Sequence, residues 1–207
     1  MAVSAWALVA CLGSAPVPAL PALIDVENEL PDVSVDLRYA TPNNFLDRPV
    51  YPPHARCFLV KEAADKLARA AEELRALGLR LHLYDCYRPL SVQHMMWELV
   101  PKPGYVANPK AGSPHNRGAA VDLTLEKDGQ EVEMPTPFDS FQPASHHDNP
   151  KATKQAKANR ARLRAVMKRA GFVENKMEWW HYELPKAHRF PVLDVGFPLP
   201  TGNAASP

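Results

Sequence analysis

The chain has 207 residues, with 24 Lys and Arg against 23 Asp and Glu and a formal net charge of +1. That balance excludes a global positive field for nucleic acid or anionic lipid, so a ligand must be recognised locally. The length allows one domain with a substantial core, typical domains running from ~50 to ~250 residues, while the 22 prolines call for many fixed loops.

Residues 1–20 are a short apolar run followed by small residues and proline, the pattern of a secretory leader. The run is too short to span a bilayer. Leu8-Val9-Ala10-Cys11 also matches the lipobox of bacterial lipoproteins, which would lipidate Cys11 and supply the chain's one link to a membrane. Export to the periplasm or a lipid-anchored state is expected. The leader lacks a basic start, the first Lys or Arg being Arg38, and a cytoplasmic protein with an apolar arm is the alternative. With Cys11 in the leader, Cys57 and Cys86 remain, an even count that suits an oxidising compartment. They form either a disulfide or two buried thiols.

From Leu59 to Leu77 apolar residues recur at helical spacing and Gly78 follows as a stop, which predicts an amphipathic helix. Leu79, Leu81 and Leu83 then alternate with Arg80, His82 and Tyr84, a half-buried strand ending at Arg88-Pro89. Ser91 is placed to cap a helix over Val92 to Val100, whose Met95, Met96, Trp97 and Leu99 read as core or wall. A Pro/Gly-rich loop, 101–114, leads into a strand from Gly118 to Leu125, in which Val121, Leu123 and Leu125 share one face and Ala120, Asp122 and Thr124 the other. A basic helix follows from about Lys151 to Ala170, its cationic residues read as a solvated face, and short strands are expected at Phe172-Val173 and from Glu178 to Leu184. The pattern gives an α+β fold: a single domain over 21–190 with a small antiparallel sheet flanked by helices, and a Pro-rich tail over 191–207.

Asp122 is a carboxylate on an otherwise apolar strand, where an unpaired charge is costly, so it needs a cation or a metal. His115 and His181 complete two imidazoles and one carboxylate, a set that suits one zinc ion and leaves a fourth position for water. Such a site still needs a base, and Glu178 is placed to be one. In a flat strand Glu178 and His181 would face opposite ways, so the chain must bend at Trp179-Trp180. Arg88 by itself reads as a surface ion pair, Asp139 as a turn-capping carboxylate, and the adjacent His146 and His147 as structural.

Ser113-x-His115-x-x-Gly118-x-Ala-Val-Asp122-Leu-Thr-Leu, Glu178-x-Trp-His181-Tyr and Tyr84-Asp-Cys-Tyr-Arg88-Pro together resemble the D-Ala-D-Ala dipeptidases of the VanX type, in the group of zinc peptidases that includes D,D-carboxypeptidases and the hedgehog fold. The likeness runs from Val35 to Glu183. It implies that His115, Asp122 and His181 bind zinc, that Glu178 is general base and acid, and that Arg88 stabilises the tetrahedral oxyanion. It further implies that Asp139 holds the substrate ammonium while Tyr39 and Ser113 line the pocket, and that the partner is a small D-alanyl peptide. A carboxypeptidase trimming longer wall peptides, or a zinc-binding module without turnover, are the competing readings. Asp139 discriminates against the first, and the presence of Glu178 and Arg88 against the second.

Overall fold

The computed structural model describes residues 22–198, so the expected leader, Cys11 and residues 199–207 lie outside the described residues. In chain order the elements are β1 (Leu23–Asp25), α1 (Val26–Glu29), β2 (Val33–Val35), β3 (Phe58–Val60), α2 (Lys61–Arg75), β4 (Arg80–Asp85), α3 (Leu90–Leu99), β5 (Ala120–Lys127), β6 (Gln130–Glu131), α4 (Lys154–Ala170), β7 (Val173–Glu174) and β8 (His181–Glu183). The fold is α+β. The main sheet has the order β2-β4-β5-β8-β7, with β6 paired to β5, while β1 and β3 form a separate antiparallel ribbon. Every pair in the main sheet is antiparallel except β2 with β4, which is parallel and is connected through α2.

The expected period-2 pattern decides which face is dry. Leu81, Leu83, Val121, Leu123 and Leu125 join Leu67, Leu74, Leu163 and Val166 of the helices in one buried cluster, and α2 and α4 pack on each other and on this sheet. The opposite face carries His82, Tyr84, Asp122, Thr124 and Glu126, and there the site is built.

Several boundaries differ from the sequence expectation. Leu59 and Val60 belong to β3, so α2 starts at Lys61; apolar residues just ahead of an amphipathic helix fit its periodicity whichever element they join. Ser91 lies inside α3, not at its cap. Pro89 is the N-cap residue and Asp194 Oδ1 accepts the Ser91 N–H instead. Met95 and Leu99 are 40% and 46% exposed, so only Met96 of the expected apolar set is fully in the core. Thr153 caps α4 by accepting from Ala156 N–H at 3.0 Å, and Gly171 ends it at φ 98°. The tail expected from residue 191 packs against the domain as far as it is described, with Leu193 buried.

Candidate active site

Regular alternation along β5 aims Asp122, and local departures from regular structure aim the side chains around it. β4 loses register with β5 between Leu83 and Asp85, which sets Asp85 directly opposite Asp122. A bulge of this kind turns a side chain that simple alternation would point away. His115 opens a 3-10 turn, His115–Arg117, closed by Gly118 at φ 60°. A Cβ on Gly118 would stand 2.8 Å from Leu23 Cδ2 and 3.2 Å from the Val60 nitrogen, so this close crossing of β3 requires glycine.

The strand expected from Glu178 starts only at His181, because the chain turns over Trp179-Trp180. The His181 N–H reaches back to the Glu178 carbonyl at 3.4 Å. Both tryptophans are buried, Trp179 Nε1 donates to Thr136 Oγ1 at 3.0 Å, and its N–H donates to Ser145 O at 3.1 Å, which anchors the turn. Glu178 and His181 thereby line the same cavity.

His115, Asp122 and His181 are all buried and converge. His181 Nδ1 lies 3.0 Å from Asp122 Oδ1 and 3.1 Å from His115 Nε2, which is 3.3 Å from the same Asp122 oxygen. The remaining ring nitrogens already have acceptors: His115 Nδ1 faces the Cys86 carbonyl at 2.7 Å, and His181 Nε2 faces Glu183 Oε2 at 3.2 Å. Those partners can take the protons of the outer nitrogens, and in that state two lone pairs and a carboxylate oxygen face one point, unless a further proton occupies it. Three acceptors cannot satisfy one another; the set fits a cation. Asp36, His82 and Glu131 form a second convergent group, but Arg38 pairs with both of its carboxylates and already supplies the positive charge.

Arg88 is buried beside this set. Its Nε and Nη2 donate to Asp85 Oδ2 at 3.1 and 2.6 Å, and Nη1 donates to Gln93 Oε1 at 2.8 Å. Nη2 is 4.0 Å from Asp122 Oδ2, and the guanidinium lies 5.0 Å from the Tyr39 ring centre. Burial opposes its charge, but Asp85 and its neighbours hold its pKa well above the ordinary value.

Glu178 is almost wholly buried, and burial, against the opposing pull of His181, lifts its carboxyl to about 8. Asn175 Nδ2 donates to its Oε2 at 2.6 Å. Asp139 sits across the cavity at φ 57°, a conformation Asp tolerates better than most residues. It accepts from Tyr39 O–H at 3.1 Å and from Phe45 N–H at 3.3 Å. Burial, then the charge of Asp122, pushes its carboxyl well above the usual range. Ser113 lines the cavity, its Oγ accepting from His115 N–H at 3.2 Å. The cavity encloses about 210 Å³, below the ~300–1,000 Å³ of drug-sized sites, so it suits a small molecule.

All eight expected site residues therefore line one cavity. Asp85, Gln93, Asn116, Asn175 and Glu183 were not singled out by sequence. Asp85 stands in the same short motif as Arg88, yet its inward direction depends on the bulge. Cys57 and Cys86 are joined in a disulfide that ties β3 to the end of β4. His147 is buried and His146 Nε2 lies 3.0 Å from Tyr105 O–H, so neither imidazole enters the convergent set.

A buried carboxyl with a raised pKa, a charged guanidinium and a convergent group able to hold a metal surround one small polar cavity, an arrangement that suits a hydrolase. The family model described as D-ala-D-ala dipeptidase, of the M15 peptidases, matches residues 21–198. The D-alanyl-D-alanine dipeptidase of Escherichia coli (strain K12) is 40% identical over 172 residues, 83% of this chain and 89% of that protein. That of Enterococcus faecium is 34% identical over 189 residues, 79% of this chain and 91% of that protein. A solved LD-carboxypeptidase, LdcB, shares 21% identity and a TM-score of 0.43 over 61% of this chain and 59% of that one. This chain belongs to the D-ala-D-ala dipeptidase family of peptidases.

Proposed function

We propose that the chain hydrolyses the dipeptide D-Ala-D-Ala to two D-alanines, with one zinc ion held by His115, Asp122 and His181. When bound, zinc supplies a Lewis acid and lowers the pKa of water to ~7. Glu178 takes the proton of the attacking water and returns it to the leaving amine. A buried carboxyl lifted to about 8 supports this, since it exchanges protons near neutrality. Arg88, held on Asp85 and facing the cavity, meets the negative charge that develops on the peptide oxygen. Tyr39 and Ser113 shape the walls. The Cys57–Cys86 disulfide supports work in an oxidising compartment, as the leader-like residues 1–20 do.

One observation carries the choice of a dipeptide over a longer peptide: Asp139 is a buried carboxylate without a cationic partner among the described residues, in the same small cavity as the cation site. A free substrate ammonium would supply the missing charge; a blocked amine would leave the carboxylate unpaired. The expected result is that N-acetylation of D-Ala-D-Ala lowers kcat/KM about 100-fold or more. Equal rates on the two peptides would assign the cavity to carboxypeptidase action instead.

A further inference from the structure

The Pro-rich segment up to residue 198 binds the segment that carries Arg88. The Leu193 N–H donates to Asn116 O at 2.8 Å, and its carbonyl accepts from Leu90 N–H at 3.1 Å. Asp194 Oδ1 accepts from Ser91 N–H at 2.8 Å. The Tyr87 hydroxyl accepts from Val195 N–H and donates to Val195 O, both at 2.9 Å. Residues on both sides of Arg88-Pro89 are thus tied to one short stretch. Asn116, bound by the same stretch, donates through Nδ2 to the Arg88 carbonyl at 2.8 Å.

A second connection reaches the guanidinium itself. The Phe197 ring centre lies 4.9 Å from that of Tyr51. Tyr51 O–H donates to Asp85 Oδ1 at 2.7 Å, which leaves Oδ2 for Arg88. A carboxylate free to rotate would offer Arg88 a moving partner; one oxygen pinned by a buried hydroxyl offers a fixed one. Phe197, itself half-buried, covers the Tyr51 ring, and its loss would uncover that ring and loosen its seating.

We propose that residues 190–198 are a positioning strap for Arg88, acting through the Tyr87 hydroxyl, through the backbone at Leu90 and Asn116 and through the side chains Phe197, Tyr51 and Asp85. The proposal rests on the reading in which Arg88 meets the developing oxyanion. Preorganisation is what gives such a group its effect, because a guanidinium that must be ordered during the reaction contributes less.

The test uses Phe197→Ala and Tyr51→Phe in the full chain, the second removing only a hydroxyl. The readouts are kcat, KM, metal content and the solvent exchange of the Arg88 Nε–H proton by NMR. The expected result is a fall in kcat of about tenfold with KM and metal content unchanged. Nε–H exchange should quicken by a similar factor, and Phe197→Tyr, which keeps the ring, should behave as the parent. Placed in an Arg88→Ala background, Phe197→Ala should cost almost nothing further. Unchanged Nε–H exchange in both variants, or kcat losses that multiply in full with Arg88→Ala, overturns the strap. Should Arg88→Ala itself leave kcat intact, the oxyanion reading fails, and the exchange measurement still decides whether the strap holds the guanidinium.

Discussion

Glu178→Ala is expected to bind zinc as the parent does and to lose about 10³-fold in kcat on D-Ala-D-Ala, within the range of general acid–base catalysis. The separation follows from the geometry. The convergent set contains His115, Asp122 and His181 but not Glu178, and the turn that aims His181 is anchored mainly by Trp179 and by backbone bonds to Ser145 and Asn175, the Glu178 carboxylate adding one bond from Asn175 Nδ2. Glu178→Gln tests the same point without leaving a void, since the amide keeps an oxygen for Asn175 and loses only the capacity to take a proton. Metal content measured beside turnover checks both variants. Near-parental kcat with full metal in Glu178→Gln would remove Glu178 from proton transfer.

Which residues share the cavity was more legible in the sequence than how they are aimed. Alternation along Val121-Asp122-Leu123 was enough to place Asp122 on the face opposite the apolar core, because successive residues of a strand point to opposite faces and only one face here is apolar. The requirement for a bend between Glu178 and His181 followed from the mismatch between three-residue spacing and strand geometry, and the turn over Trp179-Trp180 meets it. What could not be read were features that depend on the partner strand. The bulge that sets Asp85 opposite Asp122 leaves no local mark in Tyr84-Asp85-Cys86, and the parallel pairing of the three-residue β2 with β4 depends on tertiary contacts rather than periodicity. Residues 191–198 looked like a tail because proline-rich segments lack periodicity. Their order comes from single hydrogen bonds to Leu90, Ser91 and Asn116, which no window of sequence reveals.

Removing the metal is expected to abolish turnover while leaving the fold intact, and zinc affinity is expected to strengthen with pH. In the metal-free protein, burial disfavours a charged His181, but hydrogen bonds to Asp122 and Glu183 outweigh it and lift its pKa to about 10. At neutral pH the ring is therefore cationic, and a proton on Nδ1 satisfies the same lone pairs that the metal would. The sign follows directly. The proton is bound below the raised pKa, and each unit of rising pH weakens this competitor tenfold, so the apparent zinc association constant should rise about tenfold per unit between roughly pH 6 and 9. About one proton should leave per zinc bound, which calorimetry in two buffers of different ionisation enthalpy measures directly. A flat affinity with no proton release would mean that the imidazoles stand neutral before the metal arrives, and that the convergent acceptors are held by packing alone. The expected outcome instead explains how a buried set of three acceptors survives without its metal: a proton balances the charge of Asp122, but it offers no open position for water. Chelated protein should remain folded, turn over no dipeptide, and recover when zinc is returned.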